Sequence, residues 1–175
     1  MDYDRAYMEI GLSLGSNLDH RLENLREATD RVDSLPDTRL LDKAPIYETA
    51  PVDVKPEYAT LNYLNTVIIV ESSMELSAFS EAIHQIETDM GRVRTEDRNA
   101  PRVIDIDILY AGNTKRADGT LDLPHPRWAQ RRFVVQPLAD VRPFLRLPGE
   151  TRTVSDILKN LPTTNITLFR AEHQW

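Results

Sequence analysis

Residues 99–110 read NAPRVIDIDILY, and this stretch constrains the fold more than any other. Val103, Ile104, Ile106, Ile108 and Leu109 have the apolar content of a β-strand, yet Asp105 and Asp107 stand in its middle. Strand side chains alternate between faces, so Ile104, Ile106 and Ile108 share one face and the two aspartates share the other. One face must meet a core; the other must tolerate two like charges side by side. Aspartate is a poor strand former and neighbouring carboxylates repel, so the pair costs stability unless a cation lies between them. The pattern predicts a two-sided sheet with a divalent metal site on its polar face.

The flanking sequence supplies the rest of such a sheet. Tyr7–Leu14 alternate as a strand and break at Gly15-Ser16-Asn17. Leu22, Leu25, Ala28, Val32 and Leu35 recur at helical steps, with Asn17 or Asp19 as cap and Pro36 beyond the end. Arg39–Tyr47 predicts a second strand, and residues Glu48–Leu61, with Pro51 and Pro56, a long irregular connection of the kind that carries function. Asn62–Glu71 predicts a third strand with Tyr63, Asn65 and Val67 on one face. A second helix has Ser72 and Glu75 as a capping box, an apolar stripe of Leu76, Phe79, Ile83, Ile86 and Met90, and Gly91 as its stop. Arg92–Arg102 is then a polar loop leading into the aspartate strand.

The order β-α-β-β-α-β predicts an α+β, ferredoxin-like core: an antiparallel sheet with both helices on one face and the ligand site on the other. A Pro/Arg segment at 124–132, a helix Val154–Leu161 and a strand near Ile166–Phe169 are expected as a C-terminal elaboration, so residues 1–175 are expected to form a single domain. With 175 residues, one sizeable core is feasible.

A net charge of -7 disfavours nonspecific contact with nucleic acid or an anionic membrane. The absence of cysteine excludes disulfides, thiolate metal sites and cysteine nucleophiles, and fits a reducing cytoplasm. MDYDRAYMEI has no signal-peptide core, and the longest apolar run, Val67–Val70, is too short for a bilayer. A cytoplasmic protein is expected.

Hard carboxylate oxygens suit Mg²⁺, which takes one or two protein carboxylates and fills its octahedron with water and phosphate oxygens. A nucleoside triphosphate is the natural companion. Arg92, Arg94, Arg98 and Arg102 precede the aspartates within eleven residues, and guanidinium groups bind phosphate bidentately, although a solvated loop would read the same way. In PHPRWAQRRF, His125, Arg127, Arg131 and Arg132 occur without an acidic neighbour. His125 lies between two prolines and belongs on a rigid turn, as a ligand contact or as an exposed loop residue. His20, His84 and His173 read as ordinary surface residues. Tyr63 and Asn65 offer an aromatic platform beside an amide, or plain sheet packing. Gly15-Ser16-Asn17 lacks the G-x-x-x-x-G-K-[ST] of a P-loop.

Several of these stretches together resemble the 6-hydroxymethyl-7,8-dihydropterin pyrophosphokinases of folate biosynthesis. They are LGSNL after the first strand, YETAPV at 47–52, YLNTV at 63–67, IETDMGRVR at 86–94, RNAPRVIDIDIL at 98–109 and LPHPRWAQRRFVVQPL at 123–138, spanning roughly residues 9–145. The resemblance implies transfer of pyrophosphate from ATP, as co-substrate, to the pterin hydroxymethyl group, with AMP released. Asp105 and Asp107 match the ligands of two Mg²⁺ ions, and Arg92 and Arg102 stand with them as catalytic residues. Arg92, Arg94, Arg98, Arg102, Arg131 and His125 match positions around the triphosphate, Glu87 a further acidic position grouped with the nucleotide, and Ile108 part of the adenine pocket. The pterin would stack between Tyr63 and Phe133, its polar edge met by Asn65 and by backbone groups of Thr49, Ala50 and Val52. Asn99 departs from the pattern, standing where many relatives have a lid aromatic, and Pro126 replaces a larger residue.

Two rivals are weaker. A nucleotidyltransferase would place its Gly-Ser turn about ten residues from the D-x-D strand rather than half a domain away. The alternative of a ferredoxin-like nucleotide- or RNA-binding module without catalysis asks for aromatics on the first strand and positive charge. IGLSL has no aromatic, and the chain is acidic. A monomer acting on small molecules, with neither nucleic acid nor membrane as partner, is expected.

Overall fold

The computed structural model describes residues 5–163, 166–169 and 175. His173 lies outside the described residues. The chain forms β1 (Met8–Ser16), α1 (Arg21–Asp33), β2 (Thr38–Lys43), β3 (Tyr47–Thr49), β4 (Tyr63–Ser72), α2 (Leu76–Asp89), β5 (Asp105–Ala111), α3 (Arg132–Val141), α4 (Val154–Asn160) and β6 (Ile166–Leu168). One antiparallel sheet runs β5-β1-β4-β3-β6, with β2 also paired to β4. No helix among the described residues is long and apolar enough to cross a membrane.

Alternation sorts the strand residues as the sequence predicts. Ile10, Leu12 and Leu14 of β1, Leu64, Ile68 and Val70 of β4, and Ile106 and Ile108 of β5 are buried against Leu25, Ala28 and Val32 of α1 and Phe79, Ile83 and Ile86 of α2. The opposite face differs from expectation, because it is not left free along its whole length. Val67, Ile69, Leu109 and Tyr110 are covered by Val134, Val135 and Leu138 of α3 and by Val154 and Ile157 of α4. α3 escapes a sequence reading because Pro137 lies inside it and removes one main-chain hydrogen bond, a residue that ordinarily signals a break.

The helix caps and the second strand differ from expectation. α1 begins after His20 with no side-chain cap, neither Asn17 nor Asp19 serving. In α2 the cap is Glu75 itself, accepting from the Ser77 and Ala78 N–H groups at 3.0 and 2.9 Å. Ser72 instead pairs with the Thr38 hydroxyl at 2.8 Å, while Gly91 does end the helix, at φ +95°. The single strand expected over Arg39–Tyr47 divides at Ala44-Pro45-Ile46, since Pro45 has no N–H for the ladder; Thr66 Oγ1 donates to both the Ala44 and Pro45 carbonyls at 3.1 Å.

Candidate active site

The register brings the polar residues of three strands to one end of the sheet. Asp105 lies opposite Gly15, which lies opposite Asn65; Asp107 lies opposite Ser13 on the same face. A Cβ on Gly15 would come within 2.8 Å of Asn65 Oδ1, so only glycine keeps this floor flat. The floor belongs to a cleft of about 720 Å³. Thr49–Asp53 and Tyr63 line it, Asn99 and Arg102 come from the loop before β5, and Arg127, Gln130 and Arg131 come from the segment leading into α3, with Arg132 and Phe133 in its first turn.

Asp105 is held by two guanidinium groups, Arg92 Nη1 at 2.6 Å and Arg102 Nη1 at 3.5 Å. Arg92 also pairs with Glu87, whose Oε2 accepts the Ile106 N–H at 3.0 Å, and Arg94 stands 3.8 Å from the same carboxylate. Burial pushes the Glu87 carboxyl up to about 7, against the pull of the Ile106 N–H and Arg92. Asp107 is pushed up to about 6 by burial and then by the charge of Asp105, with Arg131, Arg92 and Arg102 offsetting part of the effect. Two adjacent carboxylates, one of them reluctant to ionise, are a donor set that fits Mg²⁺. No group of three or more His, Asp or Glu ligands exists among the described residues, so this fit requires the remaining oxygens to come from water and phosphate.

At the other end, Asn65 Nδ2 donates to Thr49 Oγ1 at 2.6 Å, tying β3 to the floor. The Arg131 guanidinium lies 5.7 Å from the Phe133 ring centroid and stiffens that wall. His125 donates its N–H to the Leu109 carbonyl at 2.8 Å, and its Nδ1 accepts the Arg127 N–H at 3.1 Å. This is the rigid turn that two prolines predict. Burial, then Arg131 and Arg127, push the imidazole down and favour its neutral form.

Thr49, Ala50, Val52, Tyr63, Asn65, Arg102, Asp105, Asp107, Arg131 and Phe133 therefore line one cleft. Arg92 and Glu87 lie behind Asp105, and Arg94 borders a smaller hollow with His84 and Thr88. Arg98 meets Arg102 through its carbonyl. Ile108 is placed elsewhere, its side chain in the helix-side core and 7% exposed. The sequence reading missed Ser13 and Gly15, which the alternation of β1 could have revealed, and Leu161, Pro162 and Ile166, for which no local signal exists.

The family model described as 7,8-dihydro-6-hydroxymethylpterin-pyrophosphokinase (HPPK) matches residues 11–143. The 2-amino-4-hydroxy-6-hydroxymethyldihydropteridine pyrophosphokinase of Pseudomonas aeruginosa is 34% identical over 157 residues, covering 90% of this chain and 94% of the relative. The enzyme of that name from Methylorubrum extorquens is 34% identical over 163 residues, covering 93% and 96%. The folic acid synthesis protein fol1 of Schizosaccharomyces pombe is 32% identical over 158 residues; these cover 90% of this chain but 21% of that longer protein. In fold, the chain resembles Plasmodium falciparum HPPK-DHPS crystallised with pteroate, with a TM-score of 0.68 at 14% identity over 91% of this chain and 43% of the other.

The fold is of the α+β class, and the family match and the named relatives define a transferase. The chain belongs to the 7,8-dihydro-6-hydroxymethylpterin-pyrophosphokinase family, the pyrophosphokinases of folate biosynthesis.

Proposed function

We propose that the chain transfers the β,γ-pyrophosphoryl group of Mg-ATP to the hydroxymethyl oxygen of 6-hydroxymethyl-7,8-dihydropterin, releasing AMP. The observation that carries this reading is the side-by-side placement of Asp105 and Asp107 on the floor of a cleft also lined by the Tyr63 and Phe133 rings and by the guanidinium groups of Arg102 and Arg131. Asp105 and Asp107 would hold two Mg²⁺ ions. Bound there, Mg²⁺ supplies charge withdrawal from the phosphates and a lower pKa for the attacking hydroxyl. Tyr63 and Phe133 sandwich the pterin, Asn65 reads its edge with Thr49, and backbone groups of Ala50 and Val52 complete the fit. Arg94, Arg98, Arg131 and His125 position the triphosphate, with Glu87 setting Arg92 and Arg94. Arg92 and Arg102 stabilise charge on the bridging oxygen as AMP leaves. No protein nucleophile is needed, because positioning and charge neutralisation carry phosphoryl chemistry.

The same reading takes residues 1–175 as one domain with a ferredoxin-like βαββαβ core, acting as a cytoplasmic monomer. Support for the core comes from α1 and α2 sharing one face and β1 lying between β4 and β5. Incubation with Mg-ATP and the pterin, followed by identification of the nucleotide, tests the activity. AMP is expected; ADP would mean single-phosphoryl transfer, and binding of both ligands without turnover would mean a non-catalytic module.

A further inference from the structure

Asn17 stands in the β1–α1 turn, 4% exposed, and α1 starts without a side-chain cap from it. Its partner is instead Arg102, 85 positions away. Asn17 Oδ1 accepts the Arg102 N–H at 2.8 Å, and the Asn17 N–H donates to the Arg102 carbonyl at 3.2 Å. One residue thereby satisfies both main-chain polar groups of the other. Among the described residues, no other residue outside the loop hydrogen-bonds to the main chain of residues 93–102. The support behind Asn17 is stiff: Ser16 is fully buried at the end of β1, and Asn24 of α1 donates to Ser16 Oγ at 3.2 Å and to the Leu18 carbonyl at 3.0 Å.

We propose that Asn17 is a positioning residue for the transfer reaction, fixing the main chain at Arg102 so that its guanidinium enters the cleft beside Asp105. This rests on the pyrophosphoryl-transfer reading above. Asn17 touches no reacting atom. It acts through the backbone three residues before Asp105, where the Arg102 guanidinium reaches Oδ2 at 3.5 Å. A paired donor and acceptor on a rigid turn restrict the main-chain torsions from which the long Arg102 side chain swings. Displacing a charge-stabilising group by about 1 Å can cost on the order of 100-fold in rate. The loop between α2 and β5 is thus tethered through its main chain at its C-terminal end to the β1–α1 turn, while the rest of it is held from outside through side chains, as where Asn99 Nδ2 donates to the Asp53 carbonyl.

The test is a double-mutant cycle with an exchange measurement on the unliganded protein. Asn17→Ala should lower kcat roughly 10- to 100-fold in the otherwise unaltered chain, yet cost little in an Arg102→Ala background. Asn17→Asp, which keeps the acceptor oxygen, should restore most of the rate. Amide hydrogen exchange at Arg102 should accelerate in Asn17→Ala while β1 and α1 stay protected. If Asn17→Ala does not fold, Asn17→Leu, of similar size and without an acceptor, replaces it in the same cycle. Equal losses in both backgrounds, or unchanged exchange at Arg102, would overturn the proposal. Should the unaltered chain release no AMP, the functional reading fails on its own, and the exchange at Arg102 still decides whether Asn17 holds that loop.

Discussion

Val67, Ile69 and Leu109 share a sheet face, and β4 and β5, with Tyr63, Asn65, Asp105 and Asp107, yet the first group lies beneath α3 and α4 while the second borders the cleft. The covered half has an apolar centre and is closely clamped at its edges by polar pairs. Arg142 at the end of α3 bonds Glu9 on β1 at 3.1 and 2.9 Å and Asp42 on β2 at 2.7 Å, and Tyr110 donates to Glu9 at 2.7 Å. Tyr47 on β3 bonds Asp140 on α3 from the other side. The open half holds carboxylates, arginines and a glycine that packing alone would not select. α3 serves both halves: Val135 and Leu138 seal one, while Arg131 to Phe133 at its start rim the other. Stability and chemistry are separated along the strands rather than between the faces.

The strongest way to break this division is at the aspartates. Asp105→Asn and Asp107→Asn should each reduce turnover by a factor on the order of 10³, as expected where a charge-stabilising element is lost. Their effects on the metal-free fold should differ. Asp107→Asn removes a partly buried group that resists ionisation and should leave melting unchanged or raised, whereas Asp105→Asn gives up its pairs with Arg92 and Arg102 and should lower melting slightly. A fall of many degrees for Asp107→Asn would make it a structural residue.

On the covered half the opposite outcome is expected. Leu138→Ala should destabilise by about 2–5 kcal/mol through transfer and cavity costs, and chemical denaturation measures it. Turnover per folded molecule should persist at low temperature. Loss of kcat without loss of stability would mean that α3 is tuned for the cleft along its whole length.

Glu87 sharpens the comparison from beneath the open half. A carboxyl whose folded pKa is raised stabilises the fold below its unfolded pKa, near 4.5, and that contribution is lost as pH rises through about 7. Arg92, Arg94 and His84 are the ionisable side chains lining the hollow beside it. Unliganded protein should therefore melt progressively lower from pH 5 to 8 in part because of Glu87, and Glu87→Gln should flatten that slope. An unchanged slope would assign it to other groups.

Smaller effects belong to the rings. Tyr63→Ala and Phe133→Ala should each weaken pterin binding by about 1 kcal/mol and ATP binding by less. Equal weakening of both ligands in calorimetry would make the rings part of the sheet's packing and blur the boundary between the halves.

The boundary was half visible in the sequence. Period-two alternation placed Asp105 and Asp107 opposite Ile106 and Ile108, and set Tyr63 and Asn65 on one face, because that pattern is local. The covering of Val67 and Ile69 was not visible. It depends on α3, whose Pro137 argues against a helix and whose apolar stripe finds its partner more than sixty residues back in the chain. Asn17 was misread for a related reason: a short polar residue after a strand is an ordinary cap signal, and its tie to Arg102 exists only once the loop has closed.

The smallest expected effect lies where the open half meets its two loops. Asn99 Nδ2 donates to the Asp53 carbonyl at 2.9 Å, and Lys55 stands 3.6 Å from Asp97, so residues 48–61 and 91–102 are already joined across the cleft mouth by polar contacts. Mg-ATP binding should draw Arg102 and its loop toward the phosphates. The loop bearing Ala50 and Val52 follows through the Asn99 link, so the pterin meets a better-ordered wall. Coupling of this kind is typically 1–3 kcal/mol. Titrating the pterin with and without a nonhydrolysable Mg-ATP analogue measures it directly. Asn99→Ala should reduce the coupling by no more than about 1 kcal/mol, the worth of one exposed hydrogen bond, and should leave pterin affinity without nucleotide almost unchanged. Equal pterin affinity with and without the analogue in the unaltered chain would show that the two ends of the cleft fill independently.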